Sequence, residues 1–108
     1  MRFQGKKALV TGAAGGIGKS LVRKLRAEGA SVAITDITIG NVEAEAHFPG
    51  DLSAAQFCDE LPSKARDALG GLDILINNAG IIRRGKITEA SDDDFKSTMA
   101  VNIEAPFR

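Results

Sequence analysis

Short apolar runs along the chain alternate with longer stretches in which apolar residues recur every three or four positions. The runs have the length of strands and are followed by glycine or polar residues, so they predict buried β-strands. These predicted strands are Lys6–Thr11, Ala30–Thr35, a short one near His47–Phe48, and Leu72–Asn77. The longer stretches predict amphipathic helices, because a spacing of three or four residues places apolar side chains on one helix face.

The helices in the first half of the chain are marked by their ends. The first follows a glycine-rich turn and ends at Glu28-Gly29, where the glycine serves as the C-terminal cap. Between the second and third strands the pattern is weaker, and Asn41–Ala46 predicts one or two helical turns. This connection is unusually short for a crossover between parallel strands.

Two helices are predicted in the second half. One begins after Ser53 and ends at Gly70-Gly71; Pro62 lies inside it and predicts a kink or two short helices, since proline lacks the N–H that a continuous helix needs. The last begins with Ser91 as its N-cap, in a loose capping box, and runs toward Pro106. The acidic run Asp92-Asp93-Asp94 is interpreted as a solvated first turn rather than a metal site, because acidic side chains favour the positive end of a helix.

This order of strands and helices predicts one open α/β domain over residues 1–108. Parallel strands joined through helices cross over right-handedly, so we expect a parallel sheet of order 3-2-1-4 with helices on both faces. In that order the glycine-rich turn lies beside the end of the fourth strand. Ligands of open α/β sheets bind at this kind of switch point.

Composition excludes several classes of partner. The chain has 14 basic and 14 acidic residues and a formal net charge of zero, so it lacks the attraction that dominates binding to nucleic-acid phosphates. No apolar run approaches the ~20 residues that a membrane span requires. The single cysteine, Cys58, is interpreted as a buried small hydrophobe, and the N-terminus lacks the apolar segment of a secretory signal. We therefore expect a cytoplasmic protein that binds neither nucleic acid nor membrane.

The segment Thr11-Gly12-Ala13-Ala14-Gly15-Gly16-Ile17-Gly18 joins the first strand to the first helix. Glycines let the backbone approach a phosphate closely, and the N–H groups at a helix N-terminus attract anionic oxygens. The segment therefore predicts a site for the pyrophosphate of a dinucleotide. Gly18-Lys19-Ser20 also matches the end of a nucleoside-triphosphate loop, but the opening glycine of that motif would be residue 13, which is alanine. A triphosphatase is a remote alternative.

Asp36 stands at the end of the second predicted strand. A carboxylate there accepts hydrogen bonds from the ribose hydroxyls of an adenosine and repels a 2′-phosphate. Its neighbours Thr35 and Ile37 bring no positive charge, so NAD is predicted over NADP. The alternative is an aspartate that only caps the following turn.

Together, the T-G-x-x-x-G-x-G turn at Thr11–Gly18 and the sequence N-N-A-G at Asn77–Gly80 resemble the short-chain dehydrogenase/reductase family over essentially the whole chain. The resemblance implies a Rossmann-type fold and a cofactor-binding role for residues that match the motifs of the family. These are Gly12, Gly16, Ile17 and Gly18 for the pyrophosphate, Asp36 for the adenosine ribose, Asp51 and Leu52 for the adenine, and Asn78, Ala79 and Gly80 for the nicotinamide side.

The resemblance also implies hydride exchange between a nicotinamide and a carbonyl or alcohol substrate. In the family a Tyr-x-x-x-Lys pair and an upstream serine supply acid–base catalysis, and an asparagine that corresponds to Asn102 helps to hold a water near the lysine. Asn102 is thus the one catalytic residue assigned. The chain contains no tyrosine, so we expect it to be inactive alone and to be the N-terminal part of a longer oxidoreductase, truncated after the helix that follows the fourth strand. The alternative is a stand-alone nucleotide-binding module.

The resemblance says less about the substrate and the assembly. Ile81-Ile82-Arg83-Arg84 is similar to the same segment in members that act on sugar acids, and paired arginines attract a carboxylate. The alternative is two solvated arginines on a loop. Members of the family commonly form dimers or tetramers, so a homo-oligomer is expected for the full-length protein. No metal site is predicted.

Overall fold

The computed structural model describes all 108 residues and contains four parallel strands in one sheet. The strands are β1 (Lys7–Thr11), β2 (Ser31–Thr35), β3 (Ala46–His47) and β4 (Ile74–Ile76). Their order is β3-β2-β1-β4, which confirms the predicted topology. β4 is shorter than the apolar run that predicted it and pairs only with β1, through the register Leu9↔Leu75.

The helices are α1 (Gly16–Ala27), α2 (Ala55–Leu69), α3 (Asp92–Met99) and the short α4 (Ala105–Phe107). A 3-10 turn at Ile87–Glu89 precedes α3, and a π-helical turn at Ala100–Glu104 joins α3 to α4. α1 ends as predicted, since Gly29 follows it with a φ of +95°. No helix has both the length and the apolar character to cross a lipid bilayer.

Successive residues of the central strands face opposite sides of the sheet, and this alternation builds two cores. Val10 and Ile34 face α1, where Val22 and Leu25 are buried against them. Leu9 and Ala33 face α2 and contact its buried side chains, Leu61 and Ala65. The sheet is therefore covered by a helix on each face, as predicted.

The predicted helical turns at Asn41–Ala46 are wrong, because no helix forms there: Asn41 lies in a turn, residues 42–44 are irregular and Glu45 lies in a bend before β3. Glu43 and Glu45 both reach Arg26 on α1, with oxygen–nitrogen distances of 3.3 and 3.0 Å. Side chains two residues apart share a face in an extended chain and not in a helix. The backbone N–H of Glu45 also donates to the Val32 carbonyl at 2.9 Å, so the pairing with β2 begins before β3 itself.

Of the two alternatives at Pro62, two short helices are wrong, since α2 is one helix with Pro62 in its interior, and a kink stays a prediction. Proline removes a single hydrogen bond, the one that residue 62 would donate to the carbonyl of Cys58. On either side of it, Cys58, Leu61 and Ala65 are buried beneath the sheet. The burial of these side chains outweighs the missing bond.

The last helix starts as predicted but changes its winding. Ser91 Oγ accepts a hydrogen bond from the Asp94 N–H at 3.0 Å, and the Asp94 carboxylate accepts one from the Ser91 N–H at 3.5 Å, which confirms the capping box. At Ala100 the helix widens, and the Ala105 N–H donates to the Ala100 carbonyl five residues earlier. Such π-turns are rare and frequently lie at functional sites.

Candidate functional site

A cleft of about 380 Å³ opens where β1 and β2 end, beside the end of β4. Four segments form its walls: the glycine loop, the end of β2, the segment before α2, and the loop after β4. The cleft brings together all ten residues that were predicted to bind the cofactor: Gly12, Gly16, Ile17, Gly18, Asp36, Asp51, Leu52, Asn78, Ala79 and Gly80.

Two glycines of the loop are required by close approach. Gly12 has a φ of +64°, and a Cβ on it would lie 2.8 Å from the Ala79 Cα. A Cβ on Gly18 would overlap the Gly12 carbonyl oxygen. Gly16 differs, because a Cβ there would meet no atom within 4 Å. Gly12 and Gly18 thus serve the packing of the loop, whereas the space above Gly16 is open.

The N-terminus of α1 offers unpaired donors beside this open space. The first intrahelical bond runs from the Lys19 N–H to the Gly15 carbonyl at 2.8 Å, so the N–H groups of Gly16, Ile17 and Gly18 have no partner within the chain. The N-cap is Gly15, which has no side chain to satisfy them, and the first turn has no acidic residue. This arrangement suits an anionic group.

Asp36, at the end of β2, holds the glycine loop through Ala14. Its Oδ2 accepts a hydrogen bond from the Ala14 N–H at 3.0 Å, and its Oδ1 accepts one from the Ile37 N–H at 2.8 Å. The carboxylate therefore ties the end of β2 to the glycine loop and also faces the cleft. The cleft walls include Asp36 and Asp51 but no lysine or arginine. A phosphate group bound beside Asp36 would therefore face carboxylates and no cation.

The wall formed by Gly50–Leu52 is held by its own turn and by α2. Asp51 Oδ1 accepts a hydrogen bond from the Ser53 N–H at 2.8 Å, and this bond, with one from the Ser53 side chain, lowers the pKa of the Asp51 carboxyl. The Cys58 thiol donates to the Leu52 carbonyl at 3.1 Å. Cys58 is buried, as predicted, and burial raises the pKa of its thiol.

The loop after β4 is tied to the glycine loop. Thr11 Oγ1 accepts hydrogen bonds from the N–H groups of Asn78 and Ala79 at 3.1 and 3.0 Å. In return, Asn78 Nδ2 donates to the carbonyls of Thr11 and Gly12, each at 3.1 Å. The two segments thus form one hydrogen-bonded unit, and the threonine of the turn holds the loop across the sheet.

Asn102 does not line the cleft but lies directly behind it, in the π-helical turn. Its Oδ1 accepts a hydrogen bond from the Ile81 N–H and its Nδ2 donates to the Ile81 carbonyl, both at 2.8 Å. The side chain therefore holds the loop after β4. Its predicted part in a proton relay stays a prediction.

Sequence reasoning missed five residues of the cleft: Gly15, Ile37, Gly50, Ile81 and Val101. All are sequence neighbours of predicted residues, and this adjacency was the available signal. The predicted substrate residues Arg83 and Arg84 lie outside the cleft, and Arg83 approaches Asp94 at 3.9 Å.

Comparison with known proteins gives one family. The family model described as short chain dehydrogenase matches residues 6–108. An uncharacterized oxidoreductase of Thermotoga maritima is 43% identical over 99% of this chain, which corresponds to 46% of its own length. The chain thus spans about half the length of this curated relative.

Solved structures agree with this result. A short chain dehydrogenase from Burkholderia cenocepacia, in complex with NADP, superposes with a TM-score of 0.93 and 34% identity, over 99% of this chain and 49% of that one. A blue fluorescent protein from a metagenomic library, in complex with NADPH, has a TM-score of 0.92 and 33% identity with the same coverage, 99% and 49%.

Proposed function

The chain belongs to the short-chain dehydrogenase family, and on this premise we propose that it is the cofactor-binding part of an oxidoreductase that transfers hydride between a nicotinamide and a carbonyl or alcohol substrate. The observation that carries the proposal is the cleft, where unpaired N–H groups at the start of α1 lie beside an uncrowded glycine. The chain covers about half of its relatives, so the reaction of the whole protein is part of the proposal.

The residues of the cleft fit a dinucleotide along its length. The N–H groups of Gly16, Ile17 and Gly18 would hold the pyrophosphate, because the helix dipole favours negative charge there. Asp36 would accept from the adenosine ribose, and the Gly50–Leu52 wall would hold the adenine. Asn78, Ala79 and Gly80, which line the same cleft, would lie on the nicotinamide side. The bound cofactor would supply the hydride acceptor or donor, and these residues bind and orient it.

We propose NAD as the cofactor. The support is electrostatic: Asp36 stands at the ribose end of a cleft whose walls hold two carboxylates and no cation. The structural relatives with NADP and NADPH favour the other cofactor, so the preference needs a direct test.

Titration of the protein with each cofactor should give at least tenfold tighter binding of NAD, about 1.4 kcal/mol. In Asp36→Ala the ratio should fall toward one, and equal affinities in the unchanged protein would refute the preference.

The catalytic step requires more than these residues supply. The 108 residues contain no tyrosine, and the one assigned catalytic residue is Asn102. We therefore propose that this chain alone binds the cofactor without turnover. A sugar-acid substrate at Arg83-Arg84, a homo-oligomeric assembly and a cytoplasmic location extend the same proposal. The competing candidate is a stand-alone module, which would need only the nucleotide-binding cleft described above.

The first experiment tests cofactor binding at the open glycine. Gly16→Val places a branched side chain in the space that the pyrophosphate needs, and its Cβ would meet no protein atom within 4 Å, so it should abolish NAD binding while the fold is retained. Ser20→Ala, one turn further along α1 and exposed, is the matched control and should bind as the unchanged protein does. Binding by Gly16→Val at the original affinity would contradict the proposed site.

A second experiment separates the two candidates. The complete reading frame that encodes the chain is expressed and assayed for NAD reduction with a panel of alcohols and sugar acids, beside residues 1–108 alone. Turnover by the complete product supports the oxidoreductase. NAD binding without turnover by either protein supports the stand-alone module.

A further inference from the structure

The wall of the cleft at Gly50–Leu52 belongs to no strand or helix, because β3 ends at His47 and α2 begins at Ala55. Its upstream end is fixed to β2: Thr35 Oγ1 donates to the Phe48 carbonyl at 2.7 Å, and the Gly50 N–H donates to the Asp36 carbonyl at 3.0 Å. The downstream end has no bond to the sheet of this kind. Its position must depend on the helix that follows.

Two adjacent side chains on α2 contact this wall. The Phe57 ring occupies the space beside Gly50, where any Cβ would overlap three ring carbons, Cδ1, Cε1 and Cζ. The Cys58 thiol donates to the Leu52 carbonyl at 3.1 Å. Consecutive residues of one helix thus hold the two ends of a three-residue wall.

Phe57 also links this wall to the core. The ring is half-buried and packs against the cluster on the α2 face of the sheet, which includes the fully buried Leu9 and Ala33. A planar ring between a rigid core and a glycine backbone restricts movement of that backbone. Gly50 is then the residue type that the contact requires, because a side chain at this position would displace the ring.

We propose that Phe57 is a positioning residue for the adenosine end of the cofactor, acting through Gly50 to hold the Gly50–Leu52 wall. The inference rests on the proposed function, since the wall faces a ligand only if the cleft binds a dinucleotide. Loss of the ring lets the wall move and weakens adenosine binding. It leaves the donors at the start of α1 unchanged.

The test compares three proteins, each expressed from the complete reading frame and titrated with AMP and with NAD. In Phe57→Ala both ligands should bind about tenfold more weakly, by the same factor, because both share the adenosine group. The matched control is Leu69→Ala, which removes apolar packing from the same core at the far end of α2. It should lower thermal stability and leave both affinities unchanged.

Two further substitutions, made singly and together, keep the inference testable if Phe57→Ala does not fold. Phe57→Leu retains apolar bulk and should lose less affinity for both ligands, about threefold. Gly50→Ala should displace the ring and weaken AMP binding, and addition of Phe57→Leu should restore part of that loss. A purely structural role of the ring would give no such rescue of affinity.

The outcomes separate this inference from the function on which it rests. If the unchanged protein binds neither AMP nor NAD, the proposed function fails and the inference fails with it. If the unchanged protein binds both and Phe57→Ala binds them equally well, the inference is overturned and the function stands. It is also overturned if Leu69→Ala weakens AMP binding as much as Phe57→Ala, or if only NAD binding is affected.

Discussion

The side chain of Asn102 forms two hydrogen bonds with the backbone of Ile81, one to its N–H and one to its carbonyl, both at 2.8 Å. One residue of a π-helical turn thereby fixes the loop that follows β4, immediately behind the cleft. This pairing needs an amide, because one atom must accept while the other donates.

Asn102→Ala should destabilise the protein by about 1–3 kcal/mol, since it leaves the N–H and carbonyl of Ile81 without their partners. Asn102→Asp should also destabilise it, because a carboxylate brings an acceptor toward the Ile81 carbonyl. Urea denaturation measures both. Ile103→Ala is the control, and its exposed side chain should cost no more than about 0.5 kcal/mol. Equal stability of Asn102→Ala and the unchanged protein would contradict the role of the pairing.

Gly18 is one of the two glycines that serve the packing of the glycine loop. Gly18→Ala should destabilise the protein by about 1–3 kcal/mol, because the new Cβ overlaps the Gly12 carbonyl oxygen and the backbone must shift. Gly16→Ala, whose Cβ meets no atom within 4 Å at a helical position, should keep or slightly raise the unfolding midpoint, because alanine restricts the unfolded chain. Thermal denaturation of the cofactor-free proteins distinguishes the two. If both substitutions shift the midpoint equally, packing at residue 18 does not explain its glycine.

Pro62 inside α2 lowers the stability of the helix, and its substitution should raise the stability of the protein. Pro62→Ala restores a donor for the Cys58 carbonyl and should stabilise the protein. The net gain should be about 1–2 kcal/mol, because the lost packing of the half-buried proline ring offsets part of the gain in helix propensity. Ser63→Ala, at the next and exposed position, serves as the control and should change stability by at most about 0.5 kcal/mol. Denaturant midpoints report both, and a less stable Pro62→Ala would mean that the ring is needed for packing.

Glu45 should give stability a dependence on acid pH. Burial of this side chain favours the neutral form, but the Val32 N–H at 2.7 Å and Arg26 at 3.0 Å outweigh it and lower the pKa. A carboxyl with a lowered pKa stabilises the fold above its unfolded-state pKa of about 4.3, and this contribution disappears as pH falls through the folded-state value.

Glu45→Gln should therefore be less stable than the unchanged protein at pH 7, and the difference should shrink as the pH falls below about 4. Glu43→Gln is the matched control, because Glu43 contacts the same arginine from an exposed position and should differ little at any pH. Urea unfolding at several pH values gives the curves. A Glu45→Gln deficit that is constant with pH would contradict the assignment.

The cleft could be predicted because most of its residues belong to short sequence motifs that directly follow the strands. The glycine turn, Asp36 and the Asn78–Gly80 segment each follow a recognisable strand, and parallel strands bring their carboxyl ends to one edge. Gly50 could not be found in this way, since its requirement arises from the ring of Phe57 on the following helix. The non-helical form of Asn41–Ala46 places Glu43 and Glu45 against Arg26, which lies on another element. Long-range side-chain contacts of this kind have no signal in local periodicity.

The carboxylate of Glu45 has a second consequence at the border of the sheet. β3 pairs with only part of β2, and at Val32 the Glu45 side chain accepts the N–H while its backbone donates to the Val32 carbonyl. A side chain thus closes a stretch of edge that would otherwise invite pairing with a foreign strand. The part of β2 that β3 leaves uncovered is therefore protected by one glutamate at Val32.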